Sequence, residues 1–444
     1  MTFRYFPHTA DDIREMLAAV GVDAIDDLFA DIPPECRRDR PLELPGPLDE
    51  WELTRRLEEM AAAAGGDWRV FVGGGSQPHR IPALVPALAG RSEFLTAYTP
   101  YQPEISQGTL QAIFEFQTLV ARLTGLAAAN ASLYDGATAL AEAALMAIRI
   151  RSRRQIAVSG LVHPHWREVL DAYLRPLEGT RIVTLPPGAD GRTNLSPLGE
   201  LPEPAVLILQ SPNFLGFFED LRTAGEAIHA AGGLLAAGFS EPFALGLAKN
   251  PGELGADLAF GEGQSLGIPQ SFGGPGLGLL AARAEFLRQL PGRLVGETID
   301  NRGRRGFVLT LAAREQHIRR ARAVSNICSN AGHAALTAAV FMAACGGSGF
   351  RKIAQANLDL AEYFKAGLLR IGFEKISGLP TFNEFALRAP AWFPARHAAL
   401  RKRRVLAGLS LAEYYPEYPG AWLFGVGETR DGADIDRLLE ELKP

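Results

Sequence analysis

Short apolar runs alternate with helical patterns between about residues 108 and 330, and this alternation limits the possible folds more than any other feature. Strands joined by helical crossovers build a mostly parallel sheet that helices cover on both faces. The candidate strands are Gln155–Ser159, Arg181–Leu185, Ala205–Gln210, Gly233–Phe239, Ala256–Phe260 and Gly276–Ala282, with candidate helices at Pro164–Leu174 and Thr223–Ala231. A Gly/Pro-rich loop without a helix joins the last two strands, so one of them is expected to be antiparallel.

The amino-terminal segment is predicted to be helical. Thr9 precedes Asp12 by three positions, which is a helix-start signature, and Gly21 can end that helix. The proline-rich stretch Pro33–Pro47 should be extended, and a second helix begins near Leu48.

The carboxyl-terminal third predicts two more helices and a small mixed domain. The helices are expected from about Leu309 to Arg322 and from Ala331 to Ala344, and the α+β domain contains Phe382–Leu387, Trp422–Val426 and Ile435–Leu442. We therefore predict an α/β protein in three parts: a helical extension (1–75), a large sheet domain (76–330) and a small carboxyl-terminal α+β domain (331–444).

Composition excludes several classes of protein. A net charge of −5 and a pI near 6.0 give no electrostatic attraction to nucleic acid. The three cysteines form no C-x-x-C pair, which argues against a disulfide framework and the usual zinc spacings and favours a reducing cytoplasm. The amino terminus lacks the apolar core of a signal peptide. The longest apolar run, Ala334 to Cys345, is shorter than the roughly 18 residues that span a bilayer, so no membrane association is expected.

Two glycine-containing turns have the composition of anion sites. The turn Asp135-Gly136-Ala137-Thr138 opens a predicted helix, and the backbone N–H groups of a helix start suit a phosphate. Many helices begin with small residues, so this pattern alone is weak. Gly73–Ser76 can also cradle an anion, although a flexible turn is its simpler interpretation.

Two further motifs have weaker support. Gly263–Gly267 matches the G-x-S-x-G elbow of serine hydrolases, but the prolines and glycines after it cannot form the helix that the elbow requires. His163 and His165 resemble a pair of metal ligands, yet no third ligand stands at a recognisable spacing. A packing or ring-stacking role for these histidines is the alternative.

A polar segment, Tyr98–Glu104, has the composition of a functional loop. Two prolines stiffen it, and it presents two tyrosines, a hydroxyl, an amide and a carboxylate; the candidate side chains are Tyr98, Thr99, Tyr101, Gln102 and Glu104. A surface turn is the alternative interpretation.

Lysine is scarce, and this scarcity restricts the chemistry. The chain has six lysines, at positions 249, 352, 365, 375, 402 and 443, so nearly the whole predicted sheet domain lacks one. An enzyme that forms a Schiff base needs an amine at a fixed point in its cleft.

Long stretches of the sequence carry a family resemblance. They are Phe94–Gln117, Asn130–Ala147, Gln210–Glu219, Phe272–Gly278, Pro291–Asp300 and Arg304–Asn330, and Pro7–Pro33 agrees with them. These stretches resemble the P protein of the glycine cleavage system, specifically the amino-terminal-half subunit of its split, two-subunit form. The resemblance implies the fold of type I pyridoxal phosphate (PLP) enzymes, with a seven-stranded, mostly parallel sheet.

The resemblance also implies that this chain has lost its cofactor tether. In the catalytic half of the family, a His-Lys pair before the Gly/Pro-rich loop holds PLP, and the matching positions here are Gly263 and Gln264. An amide cannot form an imine, so no PLP is expected to be bound covalently here. His163 stands where relatives stack a histidine on the cofactor ring. With Asp135–Thr138 and Gln264 it would line a vestigial cleft.

Two departures from the family pattern accompany the missing lysine. Gln77 replaces an aromatic residue of that pattern, and Glu241 lies near the place of an expected aspartate. Both are consistent with a cleft that is no longer held to the geometry of the cofactor.

The implied function is that of a subunit in a heteromeric enzyme. A PLP-bearing subunit 2 would decarboxylate glycine, and the aminomethyl group would pass to the lipoyl arm of H protein. This chain would contribute the Tyr98–Glu104 side chains to its partner's site. Two alternatives are a purely structural or regulatory scaffold and an independent PLP enzyme that uses Lys249.

The predicted arginine-rich helix would either dock an acidic carrier protein or form a solvated face. Its charged residues are Arg314, His317, Arg319, Arg320 and Arg322.

Overall fold

The structure is a computed structural model that describes residues 5–38, 40–65 and 67–443. The chain divides into two compact units, Met1–Gly66 and Asp67–Pro444. In chain order the described α-helices are α1 (Ala10–Val20), α2 (Glu50–Gly65), α3 (Leu84–Ala89), α4 (Ser92–Leu95), α5 (Gln107–Thr124), α6 (Gly136–Arg151), α7 (Pro164–Leu174), α8 (Leu221–Ala230), α9 (Gln316–Arg319), α10 (Gly332–Arg370), α11 (Phe393–Arg401) and α12 (Gly432–Leu442). The described strands are β1 (Arg69–Val70), β2 (Ala128–Ala129), β3 (Gln155–Ser159), β4 (Arg181–Leu185), β5 (Pro204–Gln210), β6 (Leu234–Phe239), β7 (Leu258–Glu262), β8 (Gly278–Ala282), β9 (Leu294–Ile299), β10 (Arg305–Thr310), β11 (Glu374–Lys375), β12 (Glu384–Arg388), β13 (Val405–Leu406), β14 (Leu409–Ser410) and β15 (Ala421–Gly425).

The first unit contains the two predicted amino-terminal helices. The Thr9 hydroxyl accepts a hydrogen bond from the backbone N–H of Asp12, and the Asp12 carboxylate accepts one from the Thr9 N–H. Gly21 ends α1 in the left-handed conformation, at φ 84°. The predicted cap and stop are both confirmed. The stretch Pro33–Pro47 contains a single 3₁₀ turn, and one of its residues, Asp39, lies outside the described part.

A seven-stranded sheet forms the centre of the second unit, in the order β2-β8-β7-β6-β5-β3-β4. The strands β7, β6, β5, β3 and β4 run parallel to one another, whereas β8 runs antiparallel to both β7 and β2. The mostly parallel sheet and the single reversal after the Gly/Pro-rich loop are therefore confirmed.

Successive residues of each strand point to opposite faces of the sheet, and a separate hydrophobic core lies on each face. Val206 and Ile208 of β5 pack with α6 and α7 in one core, and Leu207 packs with α8 in another. A third core places Ala259 of β7 against Phe341 of α10. Near-continuous apolar strands follow from this two-sided burial.

The carboxyl-terminal part contains a separate four-stranded antiparallel sheet, ordered β11-β12-β15-β14. The helix α12 packs on it through Ile435, Leu438 and Leu442. This arrangement confirms the small α+β domain. The strand β1 pairs with β13, so residues near position 70 also contact this part of the chain. The three-part division of the chain stays a prediction.

The predicted helix from Leu309 to Arg322 is wrong. Its first residues belong to β10, which forms an antiparallel hairpin with β9, and Leu309 is paired with Val295. The side-chain amide of Gln107 fixes this hairpin by bonding both the N–H and the C=O of Phe307. Only short turns and the four-residue α9 follow, because Leu311 adopts a left-handed φ of 56°.

The second predicted helix extends well beyond its expected end. The helix α10 continues through a non-helical residue, Gly346, to Arg370. By length and composition alone α10 is apolar enough to cross a membrane, with a mean hydropathy of 1.3 in its most apolar window. One such helix is weak evidence, because core helices pass the same test, and Ala335, Ala338 and Phe341 of α10 are buried in the core.

A buried ionic network joins the sheet to the carboxyl-terminal part. His79 lies between two carboxylates, with Nε2 at 2.9 Å from Glu241 and Nδ1 at 3.0 Å from Glu428. Ser265 donates a hydrogen bond to Glu241, and Asn357 of α10 donates one to Glu428. Burial opposes a charge on His79, but the two carboxylates raise its pKa to about 10. His79 is therefore a cation at neutral pH.

We expect this network to make the stability of the protein fall at alkaline pH. The His79 pKa is raised from its unfolded value of 6.5, so the contribution is complete below pH 6.5 and is lost as the pH approaches 10. His79→Gln should lower the free energy of unfolding at pH 6 by about 3–5 kcal/mol. It should also remove most of the decrease between pH 6 and pH 9.5, as measured by urea unfolding at both pH values. The matched control is His8→Gln at an exposed site, and an alkaline decrease that persists unchanged in His79→Gln would refute this role.

Candidate functional site

The candidate site is a cleft beside the sheet. It begins at the start of α6, where the sequence predicts an anion site. Asp135 caps the helix by accepting the N–H of Thr138 at 2.7 Å, and the Thr138 hydroxyl accepts the N–H of Asp135 at 3.1 Å. Ala137 is buried behind this turn. The reciprocal cap leaves the N–H of Gly136 free to bind another group.

A carboxylate of the chain itself occupies that position. Glu262, the last residue of β7, accepts the N–H of Gly136 at 2.9 Å, and its other oxygen accepts the N–H groups of Gln264 at 2.9 Å and Leu277 at 2.8 Å. Burial raises the pKa of Glu262 to about 7, although the three backbone donors oppose this shift. The carboxylate thus joins α6 to both ends of the loop between β7 and β8.

Aromatic rings close the cleft beside Glu262. A Cβ atom at Gly136 would lie 2.5 Å from the ring of Trp166, so only glycine fits between that ring and the backbone of Glu262. The ring of His163 stacks on Trp166, with centroids 5.7 Å apart and planes 19° apart. His163 donates from Nε2 to the carbonyl of Gly74 at 3.1 Å, and burial lowers its pKa to about 4. This imidazole is neutral at physiological pH.

The glycine turn Gly73–Ser76 covers the other side of His163. The N–H groups of Gly74 and Gly75 donate to one oxygen of Glu384 at 3.0 and 2.9 Å, and the Gln77 amide donates to the same oxygen at 3.0 Å. Burial raises the pKa of Glu384. The turn therefore binds a carboxyl group, and that group belongs to a side chain of β12.

Gln264 and Ser265 follow Glu262 on the same turn. The Gln264 side chain bonds the carbonyl of Ile268, and Ser265 donates to Glu241, so no histidine accepts a hydrogen bond from Ser265 among the described residues. Lys249 is exposed in a loop before β7. Within residues 5–38, 40–65 and 67–443, no lysine forms a hydrogen bond or ion pair with a residue of the cleft, and no group of three or more potential ligands could hold a metal ion.

The Tyr98–Glu104 segment lies apart from these contacts. The Tyr101 hydroxyl is 3.5 Å from the guanidinium of Arg293, which also lies over the Tyr101 ring. Tyr98 is 85% exposed, Tyr101 is 57% exposed, and Gln102 and Glu104 are exposed as well. Thr99 is half-buried, and its hydroxyl has no hydrogen-bond partner among the described residues. The exposed side chains of the Tyr98–Glu104 segment are therefore accessible to another molecule.

The arginine-rich segment is not a helical face. Arg314 turns inward and donates to the carbonyl of Gly292 at 2.9 Å, and burial lowers its pKa. Arg319 donates to the carbonyl of Ala313, while Arg320 and Arg322 are exposed. The predicted docking helix is therefore replaced by turns, because β10 takes up its first residues.

Comparison with known proteins places the chain in one family. Residues 3–442 match the family model described as glycine cleavage system P-protein. The chain belongs to this P-protein family. A probable glycine dehydrogenase (decarboxylating) subunit 1 from Desulfotalea psychrophila is 50% identical over 99% of this chain and 98% of that protein, and the protein of the same name from Thermotoga maritima is 43% identical over the full length of both.

Solved structures agree with the family and the fold. A crystal structure of glycine decarboxylase (P-protein) in inhibitor-bound form matches with a TM-score of 0.90 at 47% identity and covers 99% of both chains. A cysteine desulfurase from Thermococcus onnurineus matches with a TM-score of 0.61 at 15% identity. An aspartate aminotransferase from Thermus thermophilus matches with a TM-score of 0.58 at 15% identity. These distant likenesses confirm the type I PLP fold.

The cleft of this P-protein chain does not fit the cofactor of that fold. Pyridoxal phosphate held covalently needs an amine, whereas Gln264 offers an amide that already bonds Ile268. Its phosphate needs backbone donors, and the three that converge at α6 already bond Glu262. The ring of His163 is stacked on Trp166, so that face of the imidazole is not free for a pyridine ring.

Sequence reasoning missed three residues of this cleft. Glu262 and Trp166 are far from Gly136 in the sequence, and no local sequence pattern indicates that they contact it. Glu384 lies in the carboxyl-terminal part, more than 300 residues from the turn it holds. The one available signal for Glu262 was a carboxylate two positions before Gln264 at the end of an apolar strand.

Gly136→Ala should destabilise the protein, because the new methyl group would overlap the Trp166 ring. We expect a loss of about 1–3 kcal/mol in urea unfolding, typical of an overpacked site. The matched control is Gly108→Ala near the start of α5, where nothing lies within 4 Å of the new atom. That change should be neutral or stabilise by up to about 1 kcal/mol. Equal effects of the two substitutions would contradict the close packing of Trp166 on α6.

Proposed function

We propose that this chain is the non-PLP subunit of a two-subunit glycine decarboxylase and acts only beside a PLP-bearing sister chain. The assembled enzyme decarboxylates glycine and passes the aminomethyl group to the lipoyl arm of H protein. The observation that carries this proposal is the match of residues 3–442 to the P-protein family. The full-length relatives named as subunit 1 of glycine dehydrogenase (decarboxylating) support the division of labour between two chains.

The chemistry of the cleft supports dependence on a partner. The residue that stands at the family's lysine position, Gln264, cannot form a Schiff base, and the donors beside it bind Glu262. A chain with no place for the cofactor cannot provide the electron sink that decarboxylation of an amino acid requires. The sister chain would therefore hold the cofactor, and this chain would hold none.

Exposed apolar residues in the first unit also favour a partner. Met16 and Val20 of α1 and Trp51, Leu57 and Met60 of α2 are exposed. Apolar surface of this kind is typical of protein–protein interfaces. It is consistent with a chain that is part of a larger assembly.

The Tyr98–Glu104 segment is the proposed contribution to the partner's active site. It presents two tyrosines, an amide and a carboxylate on an exposed loop, and Arg293 fixes the position of Tyr101. These groups would orient the carboxylate of glycine or line the path of the lipoyl arm. A loop held by a buried arginine can position donors with little loss of entropy on binding.

The isolated chain should neither bind PLP covalently nor catalyse exchange. We expect no imine absorbance when PLP is added, and no exchange of bicarbonate into glycine. Addition of the sister chain should produce both signals, and the two chains should purify together. Exchange activity in the pure single chain would overturn the proposal.

Substitutions in the Tyr98–Glu104 segment should reduce turnover in the reconstituted enzyme without changing its assembly. Tyr101→Phe and Gln102→Ala should each lower kcat/KM for glycine by about tenfold, which corresponds to about 1.4 kcal/mol, close to the contribution of one hydrogen bond. The matched control is Gln111→Ala, an exposed glutamine on α5. Unchanged turnover in all three variants would favour a purely structural scaffold.

A further inference from the structure

We infer that the carboxylate of Glu262 takes the place of a phosphate at the start of α6, so that this chain's cleft is closed to phosphorylated ligands by one of its own side chains. This inference concerns the chain alone and does not depend on its proposed role beside a second subunit. It predicts that the closure is removable by one substitution.

The donors around Glu262 are those that a phosphate would use. The N–H groups of Gly136, Gln264 and Leu277 come from three different segments and converge on the two carboxylate oxygens within 2.8–2.9 Å. The first of them lies at the positive end of α6, a helix of 16 residues. An anion therefore belongs at this point, and the chain supplies it.

The surroundings explain why the substitute is a carboxylate. Trp166 lies over Gly136, and a Cβ at Gly276 would lie 3.2 Å from Glu262, so the space is narrow. Burial raises the pKa of Glu262, and the nearby Asp135 adds a smaller effect in the same direction, so further negative charge at this site is costly. A single ionised carboxyl adds less charge here than a phosphate dianion would.

A second carboxylate closes the same cleft from the opposite side. Glu384 receives the N–H groups of Gly74 and Gly75, the other turn with the composition of an anion site. The carbonyl of Gly74 then accepts from His163, which stacks on Trp166. Both turns with the composition of an anion site thus bind internal carboxyl groups, and the rings of His163 and Trp166 connect them.

Deletion of the Glu262 carboxylate should open the site to inorganic phosphate. We propose to measure the thermal unfolding of the full chain in phosphate, formate and chloride at equal ionic strength. The wild-type Tm should be no higher in phosphate than in chloride. Glu262→Ala should unfold several degrees lower in chloride, and phosphate should restore its Tm in a saturable manner, because a ligand that binds only the folded state stabilises it.

Two further variants make the outcome decisive. Glu262→Gln keeps the volume of the side chain and should gain no stabilisation from phosphate, and Glu285→Ala at an exposed site should behave as wild type. If Glu262→Ala does not fold in chloride, its refolding yield in phosphate relative to chloride provides the same comparison. The inference is overturned if phosphate is no better than chloride for Glu262→Ala. It is also overturned if only formate stabilises this variant, or if wild type gains as much from phosphate.

Discussion

One carboxylate joins the start of α6, the end of β7 and the turn before β8. Glu262 accepts N–H groups from Gly136, Gln264 and Leu277, so α6, β7 and the segment leading into β8 meet at its two oxygens. The positive end of α6 makes an anion favourable there, and burial makes a second charge costly. The geometry of the whole cleft follows from this balance.

The packing around that carboxylate explains why a fold shared with PLP enzymes need not bind PLP. A parallel sheet with a helix start at its carboxyl edge provides backbone donors whatever the sequence. The side chains decide whether those donors face a ligand. Here Glu262 and Glu384 bind the two sets of donors, and Trp166 stacks on His163. The proposed function of this chain would then be expressed at a surface, for which the exposed Tyr98–Glu104 segment is our candidate.

The elements with the strongest sequence signal were predicted almost residue by residue. The strands β3 and β4 and the helix α7 have the predicted bounds. The strand β3 is buried and apolar along most of its length, and α7 opens with a proline. The helix predicted after Leu309 was wrong because hydrogen bonds from Gln107, about 200 residues away, hold that segment in a hairpin. Local periodicity cannot report such a partner.

The site was predictable only in part for the same reason. The turn at Asp135 and the amide at Gln264 could be identified from local composition and from the resemblance. The contacts in the cleft join residues that are 126 and more than 300 positions apart in the sequence, and only the fold brings them together. Glu241, placed near a cofactor-pairing position, instead forms part of a buried ion pair with His79, and Gln77 binds Glu384.

The most direct test is to locate the cofactor in the assembled enzyme. Borohydride reduction would fix any Schiff base as a stable pyridoxyl-lysine, which peptide mass spectrometry can assign to one chain. Dependence on a sister subunit predicts the modified lysine in that subunit and none in this chain. A pyridoxyl group on any of the six lysines of this chain, present in proportion to activity, would contradict the account.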